Sequence, residues 1–384
     1  MCEGFEVMKI SNRGQVEPFI AMDILKEANE LEAKGHDIVH LEVGQPNFCL
    51  PEIVTERVLT SLSMGKLGYT VASGLQELRA AIVEYYYRSY DISLNSENVF
   101  VTTGSSAAFQ LACLASFDHG ASVGLASPGY PAYRHILSSL GLRPQLIPIG
   151  IGSNYQLSVD MIKSIKEPLD GLIIASPANP TGTVISDMAL RDLLQYCENN
   201  GIRVISDEIY HGITYENKAS TAFKVDSSSV VINSFSKYFG MTGWRIGWLV
   251  APEDLTRSIE CLAQNHYICP PTISQIAALS MLNATEKLDK YVTEYKNNRD
   301  LLLNTLPKLG FSRIAPADGA FYLYVDVSNI TSDSVSYCQY LLRTQGIAMT
   351  PGVDFDPVNG HKFVRISYAG TKEDIENALY RLSK

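Results

Sequence analysis

The feature that most limits this 384-residue chain is a rhythm that begins near Asn98. Short apolar runs alternate with longer stretches whose apolar residues recur at helical spacing. NVFVTT reads as a strand and GSSAAFQLACLASF as a helix; ASVGLA and YPAYRHILSSLG repeat the pair, as do GLIIAS and SDMALRDLLQYCENNG. RVIS, VVIN and WRIGWLVA add strands before the helical PEDLTRSIECLAQ. Apolar strands interleaved with helices predict an α/β fold with a parallel sheet covered by helices on both faces. In such sheets ligands bind beyond the carboxyl ends of the strands. Thr103–Ser106, Ser127–Tyr130, Asn179, Asp207 and Ser234–Lys237 all stand just past a strand. Though far apart in the chain, they are expected on one rim.

The flanking sequence has a different pattern. PFIAMDILKEANELEAKG predicts a helix stopped at Gly35, and DIVHLEVG a short strand. Ser73 and Gln76 have the spacing of a capping box, which would open the helix in SGLQELRAAIVEYYYR. After residue 285, KLDKYVTEYKNNRDLLLNTLPKLG predicts a long charged helix. Two short strands (GAFYLYVDV, KFVRISYAG) and two helices (DSVSYCQYLLRTQG, KEDIENALYRLS) complete the chain. The expected organisation is an N-terminal arm (1–45), a large domain (46–284) and a smaller α/β domain (285–384) against which the arm packs.

Several function classes drop out. Hydrophobic residues make up 46% of the chain and charged residues 19%, enough core and too little charge for disorder or a coiled coil. A net charge of -10 speaks against a nucleic-acid partner. No apolar run approaches membrane-spanning length, and MCEGFEVMKISNRGQ lacks a signal core. The cysteines Cys2, Cys49, Cys113, Cys197, Cys261, Cys269 and Cys338 are scattered, as expected of reduced thiols in a cytoplasmic protein. MGKL at 64 is no P-loop, no G-x-G-x-x-G follows a strand, and neither H-E-x-x-H nor a cysteine cluster offers a metal site. His36 and His40 are four apart, but the strand-like DIVHLEV makes them ordinary surface or core histidines. Ser234 and Lys237 match the S-x-x-K of penicillin-binding proteins and class A β-lactamases, yet glycine-rich sequence follows and K-T-G is lacking.

The stretch SFSKYFGMTGWRIGW (234–248) remains. A lysine normally stays in water, yet Lys237 ends a run that the pattern buries. A desolvated lysine is an amine nucleophile. Nearby, a helix opening on Gly104, Ser105 and Ser106 is a potential anion site, whose dipole contributes only about 0.3–2 kcal/mol. Charge-assisted hydrogen bonds of about 1.5–3 kcal/mol each must do more, and Ser234, Ser236 and Arg245 could provide them. A phosphate site beside a reactive lysine and the strand-end carboxylate of Asp207 points to pyridoxal 5'-phosphate. Taken singly, Asp207 could be a cap, Tyr210 core, Asn179 the turn before Pro180 and Arg365 a solvated strand arginine. Their joint occurrence at strand ends argues for function.

The motifs VGQPNF (43–48), YTVASGLQELR (69–79), TTGSSAAF (102–109), SPGYPAY (127–133), SPANPTG (176–182), SDEIY (206–210), SFSKYFGMTGWRIGW and FVRISYA (363–369) occur in this order. Together they resemble the fold-type I, class I/II aminotransferases, from about residue 18 to the end, which implies an α/β large domain with a mostly parallel seven-stranded sheet between helices and a smaller α/β domain. The resemblance implies that Lys237 forms an imine with the cofactor and that Asp207 pairs with its ring nitrogen. Asn179 and Tyr210 would bond the ring's phenolic oxygen, and Tyr130 would stack on its face. Gly104, Ser105, Ser106, Ser234, Ser236 and Arg245 would cradle the phosphate, joined in a homodimer by Tyr69 of the neighbouring subunit. Arg365 would clamp the substrate's α-carboxylate, with Gly44 and Asn179 close by. The implied reaction moves an amino group from an L-amino acid to a 2-oxo acid by a ping-pong mechanism. Carbon–sulfur β-lyases and aminocyclopropane-carboxylate synthases share most of these motifs and stay open as alternatives. Aminotransferase-like regulators carry a DNA-binding domain ahead of this fold, where this chain has a short arm. Asn47 stands where the family usually has aspartate, which bears on the loop near Gly44. A dicarboxylate substrate would need a second cation such as Arg13, which no motif fixes.

Overall fold

The computed structural model describes residues 9–47, 49–65 and 67–384; Cys2, Phe48 of VGQPNF and Lys66 of MGKL lie outside the described residues. In chain order the strands are β1 (Val39–His40), β2 (Val99–Thr102), β3 (Ser122–Ser127), β4 (Arg143–Pro148), β5 (Gly171–Ala175), β6 (Arg203–Asp207) and β7 (Val230–Ser234). They continue with β8 (Gly247–Val250), β9 (Arg313–Ile314), β10 (Tyr322–Asp326), β11 (Ile347–Ala348), β12 (Thr350–Pro351) and β13 (Phe363–Ser367).

A seven-stranded sheet has the order β2-β8-β7-β6-β5-β3-β4. Only β8 runs against its neighbours. Both faces are dry, because alternate residues feed two cores. Val101, Leu172, Val204, Val231 and Trp248 face one, with helices Gln76–Tyr90 and Asp187–Asn199. Phe100, Ile173, Ile205, Ile232 and Leu249 face the other, under helices Gly104–Ser116 and Thr256–His266. β4 escaped the sequence pattern because its RPQLIP run carries two prolines and lies at the sheet's edge, where a missing N–H is tolerated. The register puts the carboxyl ends side by side. Asp207 pairs with Ala175 and Ile232, and Gly247 pairs with both Ser234 and Thr102.

The C-terminal third holds a four-stranded antiparallel sheet, β12-β13-β10-β9, rather than two strands; β9 and β12 are two residues each and too short to read from pattern. Only Val39–His40 of DIVHLEVG is strand, and it pairs in parallel with β11. The expected capping box at Ser73 does not form. The side-chain oxygen of Gln275 takes the Leu75 N–H at 2.6 Å, and Ser73 Oγ accepts from Arg79 instead at 3.1 Å. DSVSYCQYLLRTQG is helical over Ser334–Tyr340 and then widens into a π turn at Leu341–Gln345. Helices Glu52–Ser63 and Thr272–Met281, not singled out by the sequence pattern, pack on each other. No helix among the described residues is long and apolar enough to cross a membrane.

His40 is no ordinary histidine. Its Nδ1 lies 2.8 Å from Oε1 of the fully buried Glu42 and its Nε2 3.3 Å from Glu32. The Glu42 hydrogen bond holds its pKa up at about 9 against the effect of burial.

Helix Ile20–Glu32 has no local cap, since Phe19 at its N-cap offers no side-chain acceptor. The buried carboxylate of Asp354 takes the N–H groups of Ile20 and Ala21, each at 3.2 Å, and Arg134 fixes the Asp354 carbonyl at 2.8 Å. A cap from over 300 residues away thus seats this helix. Replacing an N-cap acceptor with alanine costs about 0.5–2 kcal/mol, and Asp354→Ala should fall at the upper end because one freed N–H is buried. Urea unfolding should show that loss, and amide exchange should speed up at Ile20 and Ala21. An unchanged midpoint would remove Asp354 from this role.

Candidate active site

A cavity of about 290 Å³ opens at the aligned carboxyl ends. Gly44, Ser105, Ser106, Tyr130, Asn179, Asp207, Tyr210, Ser236, Lys237, Arg245 and Arg365 all line it. Other expected site residues stand elsewhere. Ser234 is buried behind the wall, where its Oγ accepts the Ser236 N–H at 3.0 Å. Gly104 lies beneath Arg245, and a Cβ there would come within 2.5 Å of the guanidinium. Only glycine lets Arg245 lie on the first turn of helix Gly104–Ser116. Tyr69 is 85% exposed and outside the cavity, and Arg13 is exposed and lines no part of it.

Lys237 follows β7 into the cavity floor. Its Nζ donates to the Gly44 carbonyl at 2.8 Å and lies 5.8 Å and 5.9 Å from the ring centres of Tyr210 and Phe321. Burial lowers its pKa; the neighbouring Arg365 and Arg245 charges push the same way, while Tyr322 and Asp207 oppose them. Asp207, the last residue of β6, accepts the Tyr133 hydroxyl on Oδ2 and the Ile209 N–H on Oδ1 at 3.1 Å. Burial pushes its pKa up to about 6 despite those bonds and the Lys237 charge.

Arg245 sits in the left-handed region at φ 49°, just past the turn Thr242–Trp244. The glycine-rich sequence assigns this reversal to glycines. Gly240 carries part of it at φ 64°, but Arg245 takes the rest itself, at about 1–2 kcal/mol for a residue with a Cβ. The turn is held by Arg245 Nη1, which donates to the Thr242 carbonyl at 2.9 Å and to Ser236 Oγ at 3.5 Å. The facing helix has no side-chain cap at Thr103, so its first-turn N–H groups keep their donor capacity.

Arg365 lies on β13, between β12 and β10, and is 2% exposed. Nη1 donates to Asn179 Oδ1 at 3.1 Å; Nη2 donates to the Glu42 carbonyl and to Thr350 Oγ1 at 3.3 Å. Its Cζ is 4.4 Å from the Tyr322 ring centre and 4.7 Å from that of Phe355. Its Nε is buried without a partner.

Two further tyrosines belong to the site that sequence reasoning missed, Tyr133 and Tyr322. Tyr133 has a weak signal, standing three residues after Tyr130 in SPGYPAY at the start of helix Pro131–Ser139. Tyr322, at the start of β10, has none. Glu42, Gln45 and Thr242 also line the cavity, and an apolar part of its wall comes from Phe19, Met22 and Leu25 and from Ile136 of helix Pro131–Ser139; the Phe19 ring meets Tyr130 edge-on at 5.8 Å.

Comparison with known proteins agrees with this geometry. The sequence profile of aminotransferase class I and II matches residues 36–382. A Mycobacterium tuberculosis protein named valine–pyruvate aminotransferase is 47% identical over 97% of each chain. Among solved structures, an aminotransferase from Mycobacterium tuberculosis superposes with a TM-score of 0.96 at 46% identity, covering 98% of each chain. The aspartate aminotransferase of Thermus thermophilus with maleate gives 0.91 at 31% identity, covering 98% of this chain and 99% of the other.

Behind the cavity wall, Glu208 follows Asp207 into the interior. Its Oε1 accepts from Ser206 Oγ at 3.1 Å and the Ala222 N–H at 2.8 Å, while Oε2 has no hydrogen bond. His211 lies 3.4 Å from that oxygen, shares a 2.7 Å hydrogen bond with Tyr90, and is driven by burial down to about 4, so it is neutral. Burial pushes Glu208 up to about 8. A carboxyl raised from 4.5 to about 8 keeps a proton that the unfolded chain has released, so its contribution to stability is lost as pH rises through that window. Glu208→Gln should remove this slope. The stability of the variant minus that of wild type should grow between pH 5 and 8 by a few kcal/mol, because one proton held only by the folded chain is worth about 1.4 kcal/mol for each pH step of one. Denaturant unfolding at the two pH values checks it, and parallel losses in both proteins would refute it.

Proposed function

The chain belongs to the class I and II aminotransferases, and we propose that its amino donor is an L-amino acid with an apolar side chain. It is a pyridoxal-phosphate-dependent transaminase that passes the amino group to a 2-oxo acid in a ping-pong sequence. One observation carries the donor class. Apart from Lys237, Arg245 and Arg365, the described residues lining the cavity include no cation, and Phe19, Met22, Leu25 and Ile136 form an apolar wall. The relative named for valine and pyruvate supports the same class.

The chain's residues fit the cofactor. An uncapped helix start with Ser105, Ser106, Ser236 and Arg245 suits its phosphate. Asp207, held on both oxygens, suits a protonated ring nitrogen. When bound, pyridoxal phosphate supplies the electron sink that lets the α-hydrogen leave as a proton. Lys237 Nζ, biased by burial toward the neutral amine, holds the cofactor and then takes and returns that proton. Asn179 and Tyr210 would hold the ring oxygen and Tyr130 would cover the ring, while Ser234 steadies the Ser236 backbone from behind. Arg365 orients the substrate's carboxylate beside Gly44 and Asn179 through its planar fork.

The same reading divides the chain into an arm (1–45), a large cofactor-binding domain (46–284) and a small domain (285–384), which contribute Gly44, Lys237 and Arg365 respectively. It also makes the enzyme a homodimer. Loop residues Gly68 and Thr70 and helix Glu52–Ser63 pack on helix Thr272–Met281, leaving Tyr69, Val71, Leu59 and Leu62 exposed. A second copy covering this face would receive Tyr69 at its phosphate cradle. The six described cysteines are unpaired, three of them buried, which fits a cytoplasmic enzyme.

Borohydride reduction of the holoenzyme should fix the cofactor to the peptide containing Lys237; a label on any other lysine would overturn the assignment. A donor panel with pyruvate or 2-oxoglutarate as acceptor tests the substrate class. Valine, leucine or isoleucine should exceed aspartate and glutamate in kcat/KM by more than about tenfold, since a distal carboxylate would be desolvated without a cation. A dicarboxylate as the best donor would refute it.

A further inference from the structure

Tyr322 opens β10 and is 2% exposed. It touches both halves of the site. Its hydroxyl shares a 2.9 Å hydrogen bond with the Tyr210 hydroxyl. Its ring carries the Arg365 guanidinium, 4.4 Å from Cζ to the ring centre. Its hydroxyl end abuts Gly44 so closely that a Cβ at residue 44 would overlap it, and the carbonyl of that glycine holds Lys237.

We infer that Tyr322 is a positioning residue with two separable parts: its hydroxyl directs the O–H of Tyr210, and its ring sets the plane of the Arg365 fork. The inference rests on the roles given above to Lys237, Tyr210 and Arg365. Two hydroxyls bring two hydrogens, and the bond between them uses one. If Tyr322 donates, the hydrogen of Tyr210 stays free for an acceptor in the cavity. That arrangement would suit an anionic ring oxygen of the cofactor, and the bond from behind strengthens Tyr210 as a donor. Burial holds Tyr210 protonated throughout. The fork needs separate support. Arg365 Nη1 and Nη2 are tied to Asn179, the Glu42 carbonyl and Thr350, but Nε has no bond. The Tyr322 and Phe355 rings complete its confinement.

Two holoenzyme variants separate the parts. A donor at the cofactor's ring oxygen favours the deprotonated chromophore. In Tyr322→Phe the pH midpoint of cofactor absorbance should therefore rise by roughly 0.5–1, the size of one net hydrogen bond. With the ring kept, the KM for the amino donor should change by less than about twofold. Tyr322→Leu should show the same spectral change and also a KM raised about three- to thirtyfold. An unmoved midpoint in Tyr322→Phe would overturn the hydroxyl's role, and equal KM values in the two variants would overturn the ring's. A wild-type label found off Lys237 would overturn the site assignment, and this inference with it.

Discussion

Lys237 reaches the Gly44 carbonyl from a floor built of aromatic rings, while Asp207 and Arg365 stand almost wholly out of water beside it. Removing charges from water carries a penalty of several kcal/mol each unless they are bonded. The surrounding fold serves that need. A sheet dry on both faces offers one polar edge, and the register gathers Asp207, Ser234 and Thr102 there. The four-stranded sheet brings Arg365, and the segment after β1 supplies the Glu42 and Gly44 carbonyls that Arg365 and Lys237 use. The pocket holds more cation than anion, as a site for an anionic cofactor and a carboxylate substrate requires.

The legible part of this architecture is the part written in local pattern. Apart from β4, the strands of the large sheet are apolar runs with turn residues at their ends, so the rim can be placed from the sequence. Lys237 and Asp207 stand out because charge at the end of an apolar run conflicts with burial, whereas Arg365, in mid-strand, is found only through the resemblance of FVRISYA. Features that depend on distant partners stay hidden. Ser73 has the spacing of a cap, but the helix has no side-chain cap, and the Leu75 N–H just ahead of it is taken by Gln275, 200 residues away. His40 reads as ordinary until Glu42 and Glu32 close on it. Tyr322 carries no local signal, since its importance comes from facing Tyr210 and Arg365 at once.

The N-terminal helix links packing to substrate choice. It flanks the cavity with Phe19, Met22 and Leu25, yet Asp354 from the opposite end of the chain holds its start. His40 bridges Glu42, whose carbonyl takes the Arg365 fork, to Glu32 at the helix's other end. The apolar wall is therefore fixed at both ends by groups that contact the carboxylate clamp or its sheet. On the proposed reading, side-chain recognition and carboxylate recognition would share one framework.

The reversed strand β8 sets a length scale. Because it runs against β7, the chain leaves the rim at Ser234 and returns to it at Gly247. Lys237 and Arg245 thus project from the two limbs of a single short loop. The loop works as a caliper whose jaws are an amine and a guanidinium. Its opening is held within the loop, by the bonds of Arg245 to Thr242 and Ser236, and not by how two separate elements happen to dock. Arg365 on β13 and the wall of Phe19, Met22 and Leu25 belong to elements outside this loop. Substitutions in those elements can then reshape the proposed substrate side of the cavity and leave the loop that would span the cofactor as it is.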